Sequence, residues 1–293
     1  MSPLERIVAS VGGDLFNGGR RALIPGPGHG PRDRSVSLLW GDDGRIIIHC
    51  FSPRDDWRIV RDALAARGLL PRAQSSPSGR ATWTIAGCSE ERTRANRVQR
   101  ARQLWRESHS VVGTPGERYL RVRRIARDFA ACRSLRFHPS MTGIDDRQRR
   151  PALVAAIRDS AGVVQGVEVV LLSADGRAKA AVAVPRRIVG RLMGGAVHLH
   201  IVAETLLVGE GVTTVLSASE VLGLNARALL SGHNLARFTP PAFVRVLVIA
   251  VDRDRAGWRA ARSLVDRLKQ DISVEIVPPP FGFNDWNDYA RAG

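Results

Sequence analysis

The chain has 293 residues, of which 44 are Lys or Arg and 28 are Asp or Glu, and the resulting formal charge of +16 points to a polyanionic partner. With 44% hydrophobic residues it is long enough to bury a sizeable core and to divide into two or three units. Three widely spaced cysteines exclude a disulfide framework, no run approaches the roughly 18 apolar residues of a membrane span, and no export signal is visible, so a cytoplasmic protein without a membrane partner is expected.

The first stretch, residues 1–70, carries a Pro25-Gly26-Pro27-Gly28-His29-Gly30 turn, then strand-like runs at Ser35–Leu38 and Arg45–Cys50. The apolar spacing from Asp55 to Leu64 predicts a helix. Residues 71–89 open as a linker rich in Pro, Ser and Gly. Residues 90–150 read as an Arg-rich helical connector, with Val98, Ala101, Leu104 and Trp105 at helical spacing. A second helix is predicted to start at Pro115, capped by Thr114. Residues 151–202 turn β-rich, with runs at Ala152–Ile157 and Val163–Leu172, an Asp175-Gly176 turn and a return through Ala180–Val184. Lys179, Arg186, Arg187 and Arg191 lie in or beside this stretch and are candidate contacts to nucleic acid or nucleotide, against an ordinary solvated face.

Residues 203–293 alternate strand and helix: strand 205–209, helix 212–223, strand 226–230, strand 245–251, helix 255–270, strand 273–277. Two of these runs, Thr205–Gly209 and Val246–Val251, are short, continuously apolar and rich in Val, Ile and Leu, the signature of a parallel sheet covered on both faces. Glu210 follows one such run, and Asp252-Arg253-Asp254 follows another. Carboxylates there stand at the carboxyl edge of the sheet, where open α/β folds place ligands. Three acids at one edge repel one another unless a divalent cation neutralises them, and all-oxygen ligands suit Mg²⁺ or Mn²⁺. Gly209 and Gly211 leave room for a phosphate to approach, and Gly211 precedes a helix whose N-terminus favours anions.

The order Val208-Gly209-Glu210-Gly211, Val251-Asp252-Arg253-Asp254, then Phe283-Asn284-Asp285-Trp286-Asn287-Asp288 resembles the Toprim domain of bacterial, phage and plasmid primases. The resemblance implies an α/β Toprim fold, a parallel Rossmann-like sheet with helices on both faces, after a basic β-rich subdomain. It also implies Glu210 as general acid/base and Asp252 and Asp254 as metal ligands, with Asp285 a further ligand or a cap for the chain end. Arg255 is a weaker phosphate contact. Residues 1–70 resemble the zinc ribbon that precedes primases, whose signature is CPxH followed by CxxC. His29 and Cys50 stand at two of its ligand positions, while Gly26 and Pro53 or Arg54 stand at the others. Structural zinc needs four ligands, so a ribbon outline without zinc is expected. One departure is Val167-Glu168-Val169, where relatives often carry His-Arg-Thr.

The leading expectation is a primase-like, Mg²⁺-dependent nucleotidyltransferase using nucleoside triphosphates on a single-stranded DNA template. A separate replicative helicase would be its partner, because no GxxxxGK[ST] phosphate loop occurs. The alternatives are a phosphodiesterase or nuclease built on the same acids, and a non-catalytic DNA-binding accessory.

Overall fold

The computed structural model describes residues 2–41, 44, 46–51, 56–70, 86–130, 132–143 and 148–293, with the side chains of 86–93 excepted. Pro53, Arg54 and the 71–81 linker lie outside the described residues. Two compact units result, Met1–Thr82 with Ile144–Arg147, and Trp83–Gly143 with Gln148–Gly293.

In the first unit, helix α1 (Pro3–Val11) opens on a capping box. Ser2 Oγ accepts from Glu5 N–H and Glu5 Oε2 accepts from Ser2 N–H, so two otherwise orphaned donors are satisfied. Strands β1 (Asp14–Phe16), β2 (Arg21–Ile24), β3 (Val36–Trp40) and β4 (Ile46–Cys50) form an antiparallel sheet in that order. Helix α2 (Trp57–Ala66), capped by Asp56, contributes Val60 and Leu64 to a core with Leu4, Ile7, Ile24, Val36 and Leu38. The sequence pattern foretold β3, β4 and α2, but not α1, β1 or β2.

At the candidate zinc position the side chains have other partners. Oδ2 of Asp33 accepts from Gly26 N–H at 3.0 Å and Ser35 Oγ–H at 2.5 Å, and pairs with His29 Nδ1 at 2.9 Å. These donors hold the Asp33 carboxyl well below the usual carboxylate range, against the opposing effect of burial. One anionic oxygen thus ties together the turn that a metal ties in a ribbon. Cys50 is half-buried and packed against the small core.

The second unit opens with helices α3 (Ala86–Glu107) and α4 (Pro115–Val122), the latter capped by Thr114. Strands β5 (Leu135–Thr142), β6 (Arg149–Arg158), β7 (Val164–Leu171), β8 (Arg186–Gly190) and β9 (Ala196–His198) follow. Next come β10 (Thr205–Gly209), α5 (Val212–Leu222), β11 (Ala226–Ala228), α6 (Gly232–Ala236) and β12 (Val246–Ala250). The chain ends with α7 (Arg255–Leu268), β13 (Ser273–Val277) and α8 (Trp286–Ala292).

One nine-stranded sheet runs β13-β12-β10-β11-β9-β6-β7-β8, with β5 also paired to β6. Strands β13, β12, β10 and β11 are mutually parallel, and β9 is antiparallel to both β11 and β6. The β-rich stretch and the parallel core therefore share a single sheet. Strand side chains alternate between two cores: Leu207 joins Val215, Leu216 and Trp286 on one face, while Leu206 and Val208 join Ala261 and Leu264 on the other. Helices on both faces explain why these strands show no polar alternation.

Two local expectations change. Residues 180–184 form no strand: beyond the Leu172–Lys179 bridge the chain bends, and β8 pairs with β7 only after Pro185. Helix α7 buries Gly257, Ala260, Ala261, Leu264 and Leu268, leaving Ala256 exposed, because Asp254 as N-cap fixes the helix phase. Gly176, at the expected turn, has φ +70°, and a Cβ there would lie 2.3 Å from the Pro115 carbonyl oxygen. Among the described residues no helix is long and apolar enough to cross a membrane.

Candidate active site

Strands β10 and β12 are parallel and in register from Thr205 opposite Val246 to Gly209 opposite Ala250, so Glu210 and Asp252 emerge from neighbouring strands at one edge. Both line a cavity of about 230 Å³ together with Asp285. Gly209 permits the close packing beneath, since a Cβ there would sit 2.8 Å from the Ala250 carbonyl oxygen. Gly232 lets Glu210 lie against the α6 turn, and a Cβ there would meet Oε1 at 3.2 Å. Leu230, just before that turn, adopts φ +65°, a strained conformation for a bulky side chain. Its N–H donates to the Glu210 carbonyl, which fixes the loop that carries the acid.

The opposite wall is cationic. Arg123, Lys179 and Arg186 line the same cavity with Tyr119 and Glu168. Arg123 lies 4.7 Å from the Tyr119 ring centroid, and its Nη1 donates to Asn287 Oδ1 at 2.9 Å. Arg186 Nη2 donates to the strained Leu230 carbonyl at 3.0 Å, and its Nε lies 2.5 Å from Glu168 Oε1. That last contact is a close ion pair whose alignment falls short of a hydrogen bond, and Oε1 accepts none. Glu168 is 3% exposed, and burial raises its pKa against the opposing pull of Arg186 and Lys179. Lys179 is shifted down by burial and by Arg123 and Arg186.

Burial, reinforced by Asp254, raises the Glu210 carboxyl. Asp252 goes further: burial and the Asp285, Glu210 and Asp254 charges push it from 3.8 up to about 7. Its Oδ1 is buried and accepts no hydrogen bond among the described residues. Asp254 is exposed and caps α7, its Oδ1 accepting from Gly257 N–H at 2.7 Å. Asp285 caps α8 through Oδ1, which accepts from the Asn287 and Asp288 amides. Both chain-end alternatives for Asp285 are thus compatible, since the capping oxygen leaves the second one available. Arg187 reaches the Thr142 carbonyl, while Arg191 and Arg255 are exposed, and none of the three lines the cavity.

Comparison with known proteins adds to this geometry. Residues 205–293 match the family described as "Toprim domain", and residues 95–199 match a domain of unknown function, DUF7146. Residues 205–293 are a Toprim domain. No curated protein matches the chain. Similar solved structures include a DnaG primase catalytic domain bound to ssDNA, at 16% identity and TM-score 0.46, covering 70% of this chain and 78% of that one. Another is the Aquifex aeolicus primase with its zinc-binding and RNA polymerase domains, at 15% identity and TM-score 0.44, covering 99% and 80%. A third is a DNA primase domain from Pseudomonas aeruginosa, at 20% identity and TM-score 0.37, where 50% of this chain spans 48% of that one.

The Toprim edge suits a divalent cation on its donor set. The orphaned Asp252 oxygen and the nearby Asp285 offer hard anionic ligands, and burial with repulsion from the neighbouring acids raises the Asp252 carboxyl, a cost that a bound cation would relieve. Mg²⁺ is usually held by one or two carboxylates plus waters and phosphate oxygens, and Asp252 and Asp285 are two carboxylates on one cavity.

Tyr119, Arg123, Glu168, Thr213 and Thr214 complete the polar side chains of the lining and were not candidates on sequence. Arg123 and Tyr119 had a legible signal, four residues apart on one helix face; Glu168 had only its departure from the family pattern. Asn287 organises the wall: its Nδ2 donates to the Arg123 carbonyl at 2.8 Å and to Ser217 Oγ at 2.9 Å.

Proposed function

We propose that the chain is a primase-like nucleotidyltransferase that joins nucleoside triphosphates on a single-stranded DNA template with Mg²⁺ or Mn²⁺. The observation that carries this reading is one cavity in which raised-pKa acids face three cationic side chains. Asp252 and Asp285 would hold the cation, with Asp254 near enough to influence both Asp252 and Glu210. The cation, when bound, would supply charge neutralisation at phosphate oxygens. Glu210, raised but next to an open cavity, takes the proton from an attacking hydroxyl.

Arg123, Lys179 and Arg186 bind and orient the triphosphate, and the first turn of α5 adds unpaired amides. Gly211 at its N-cap makes no side-chain cap, and Thr213 and Thr214 face the same cavity. Arg187, Arg191 and Arg255 lie outside the cavity and serve the DNA strand in this reading. The division of labour is 1–70 as a zinc-free ribbon-like unit, 71–89 as linker, 90–150 as connector, 151–202 as basic wall and 203–293 as catalytic domain. A separate helicase and a cytoplasmic setting complete the proposal.

The test is primer synthesis from the four ribonucleotides on single-stranded DNA, run beside hydrolysis of a labelled oligonucleotide. Extension products with Mg²⁺ support the reading. Cleavage without extension transfers it to the phosphodiesterase alternative, whose chemistry uses the same acids.

A further inference from the structure

A second cleft, of about 870 Å³, shares no lining residue with the catalytic cavity. It lies at the other end of the strands. Asn225, in its wall, precedes β11, whose Ala226 is level with Leu207 on β10, whereas Glu210 follows the far end of β10. Its size falls within the roughly 300–1,000 Å³ of small-molecule sites. Arg127, Arg133, Arg158, His198 and His200 line it, and no carboxylate does.

Two neighbouring acids offset part of this charge, since Glu220 acts on His200 and Asp159 on His198, but they are outnumbered by the three arginines. Glu220 accepts from the Ala126 and Arg127 amides, and Asp159 Oδ1 accepts from the Val163 amide. Arg133 is exposed, and its guanidinium has no hydrogen-bond or ion-pair partner among the described residues. Behind His198, its register partner Arg227 has a buried Nε with no partner.

One contact is more specific. The Ala226 amide donates to His200 Nδ1 at 3.1 Å, which places the ring proton on Nε2. Nε2 lies 2.8 Å from Arg127 Nη1, another donor. In either neutral tautomer of His200 one of its two contacts sets donor against donor. An oxyanion seated here accepts from both.

We propose that this cleft binds the phosphate group of a nucleotide or of a nucleic-acid strand. Planar arginine forks match phosphate oxygens, and three guanidiniums, two of them held by hydrogen bonds to the cleft wall, exceed what a monocarboxylate requires. Burial and the Arg227 and Arg158 charges hold His198 down to about 4, so its ring is neutral and offers one further N–H without adding charge. The site stands whether or not the catalytic cavity performs nucleotidyl transfer.

The experiment follows the imidazole resonances of His198 and His200 in ¹⁵N-labelled full-length protein, without divalent cations. Pyrophosphate, ATP and a short oligothymidylate are added in turn. Saturable shifts of both rings with pyrophosphate are expected, unchanged in Glu210→Gln and weakened by roughly tenfold in Arg133→Gln, since a hydrogen bond between charged groups is lost. Arg127→Gln gives a second weakened variant. Shifts with ATP but not the oligonucleotide identify a free nucleotide as the ligand; shifts with the oligonucleotide as well identify a strand backbone. Rings that move with none of the three probes, or equally in both arginine variants and wild type, overturn the proposal.

Discussion

Asp252 makes the metal-free site a source of pH dependence. Its folded pKa of about 7 exceeds the ordinary 3.8, so between those values the native state binds more protons than the unfolded chain. Stability therefore falls as pH rises through that window, the reverse of a paired carboxylate. In chelator, wild type is expected to melt lower at pH 8 than at pH 5, and Asp252→Asn to flatten that slope. Millimolar Mg²⁺ should raise the wild-type melt most at high pH, because a ligand specific to the folded state stabilises it. Parallel melting curves for wild type and Asp252→Asn would contradict this. Glu210→Gln separates the roles: the amide keeps the shape but carries no proton, so transfer should fall by about 10²–10⁴-fold while the Mg²⁺-dependent melt persists. Arg186 has a second duty that its position in the sequence hides. Removing it strands the Glu168 carboxylate inside the sheet, so Arg186→Ala should destabilise toward the low end of about 3–5 kcal/mol, since the guanidinium is itself partly exposed. Adding Glu168→Gln should recover much of that loss in urea unfolding. Equal stability of the single and double variants would remove the ion pair from the account.

At the level of elements, α8 is a fastener. Trp286 Nε1 donates to the Val277 carbonyl at 3.2 Å, and Asn287 joins α4, α5 and α8 through three hydrogen bonds. Asn287→Ala leaves the Arg123 carbonyl and Ser217 hydroxyl without that partner, and should cost about 2–3 kcal/mol in denaturant unfolding. It should also raise KM for nucleotide, because Arg123 loses its anchor. The elements that were legible beforehand share one property. Strands β10 and β12 and helices α5 and α7 are buried through their own sequence, as unbroken apolar runs or 3.6-residue stripes, and the edge strand β13 shows as an alternation around Glu275. The misses depend on distant partners instead. Strands β1 and β2 span only Asp14–Phe16 and Arg21–Ile24, too short for alternation to register, and β8 is polar because it pairs only with β7. The acids could be placed on one sheet edge from strand order alone. The wall opposite was legible only in part: Lys179 and Arg186 were candidates, whereas Tyr119, Arg123 and Glu168 reach it from α4, its C-cap and β7 through tertiary packing.

For the whole molecule, the excess of 16 positive charges has a measurable consequence. Several arginines are committed internally: Arg136 to the Trp105 carbonyl, Arg158 to the Gly162 carbonyl and Arg253 to the Pro279 carbonyl. These hydrogen bonds organise loops but do not cancel charge, so the long-range field survives them. Binding of single-stranded DNA should then release counterions with a slope of about −0.7 per phosphate contact. With about five contacts, raising salt from about 50 to 200 mM should weaken binding by roughly a hundredfold. Fluorescence anisotropy with a labelled oligonucleotide across that range measures the slope directly. Sequence preference should be weak, because the cations named here face cavities and sheet edges rather than a base-reading helix. A salt-independent affinity would mean that the arginine excess reflects base composition rather than a nucleic-acid surface, and would favour small nucleotides as the ligands of both cationic cavities.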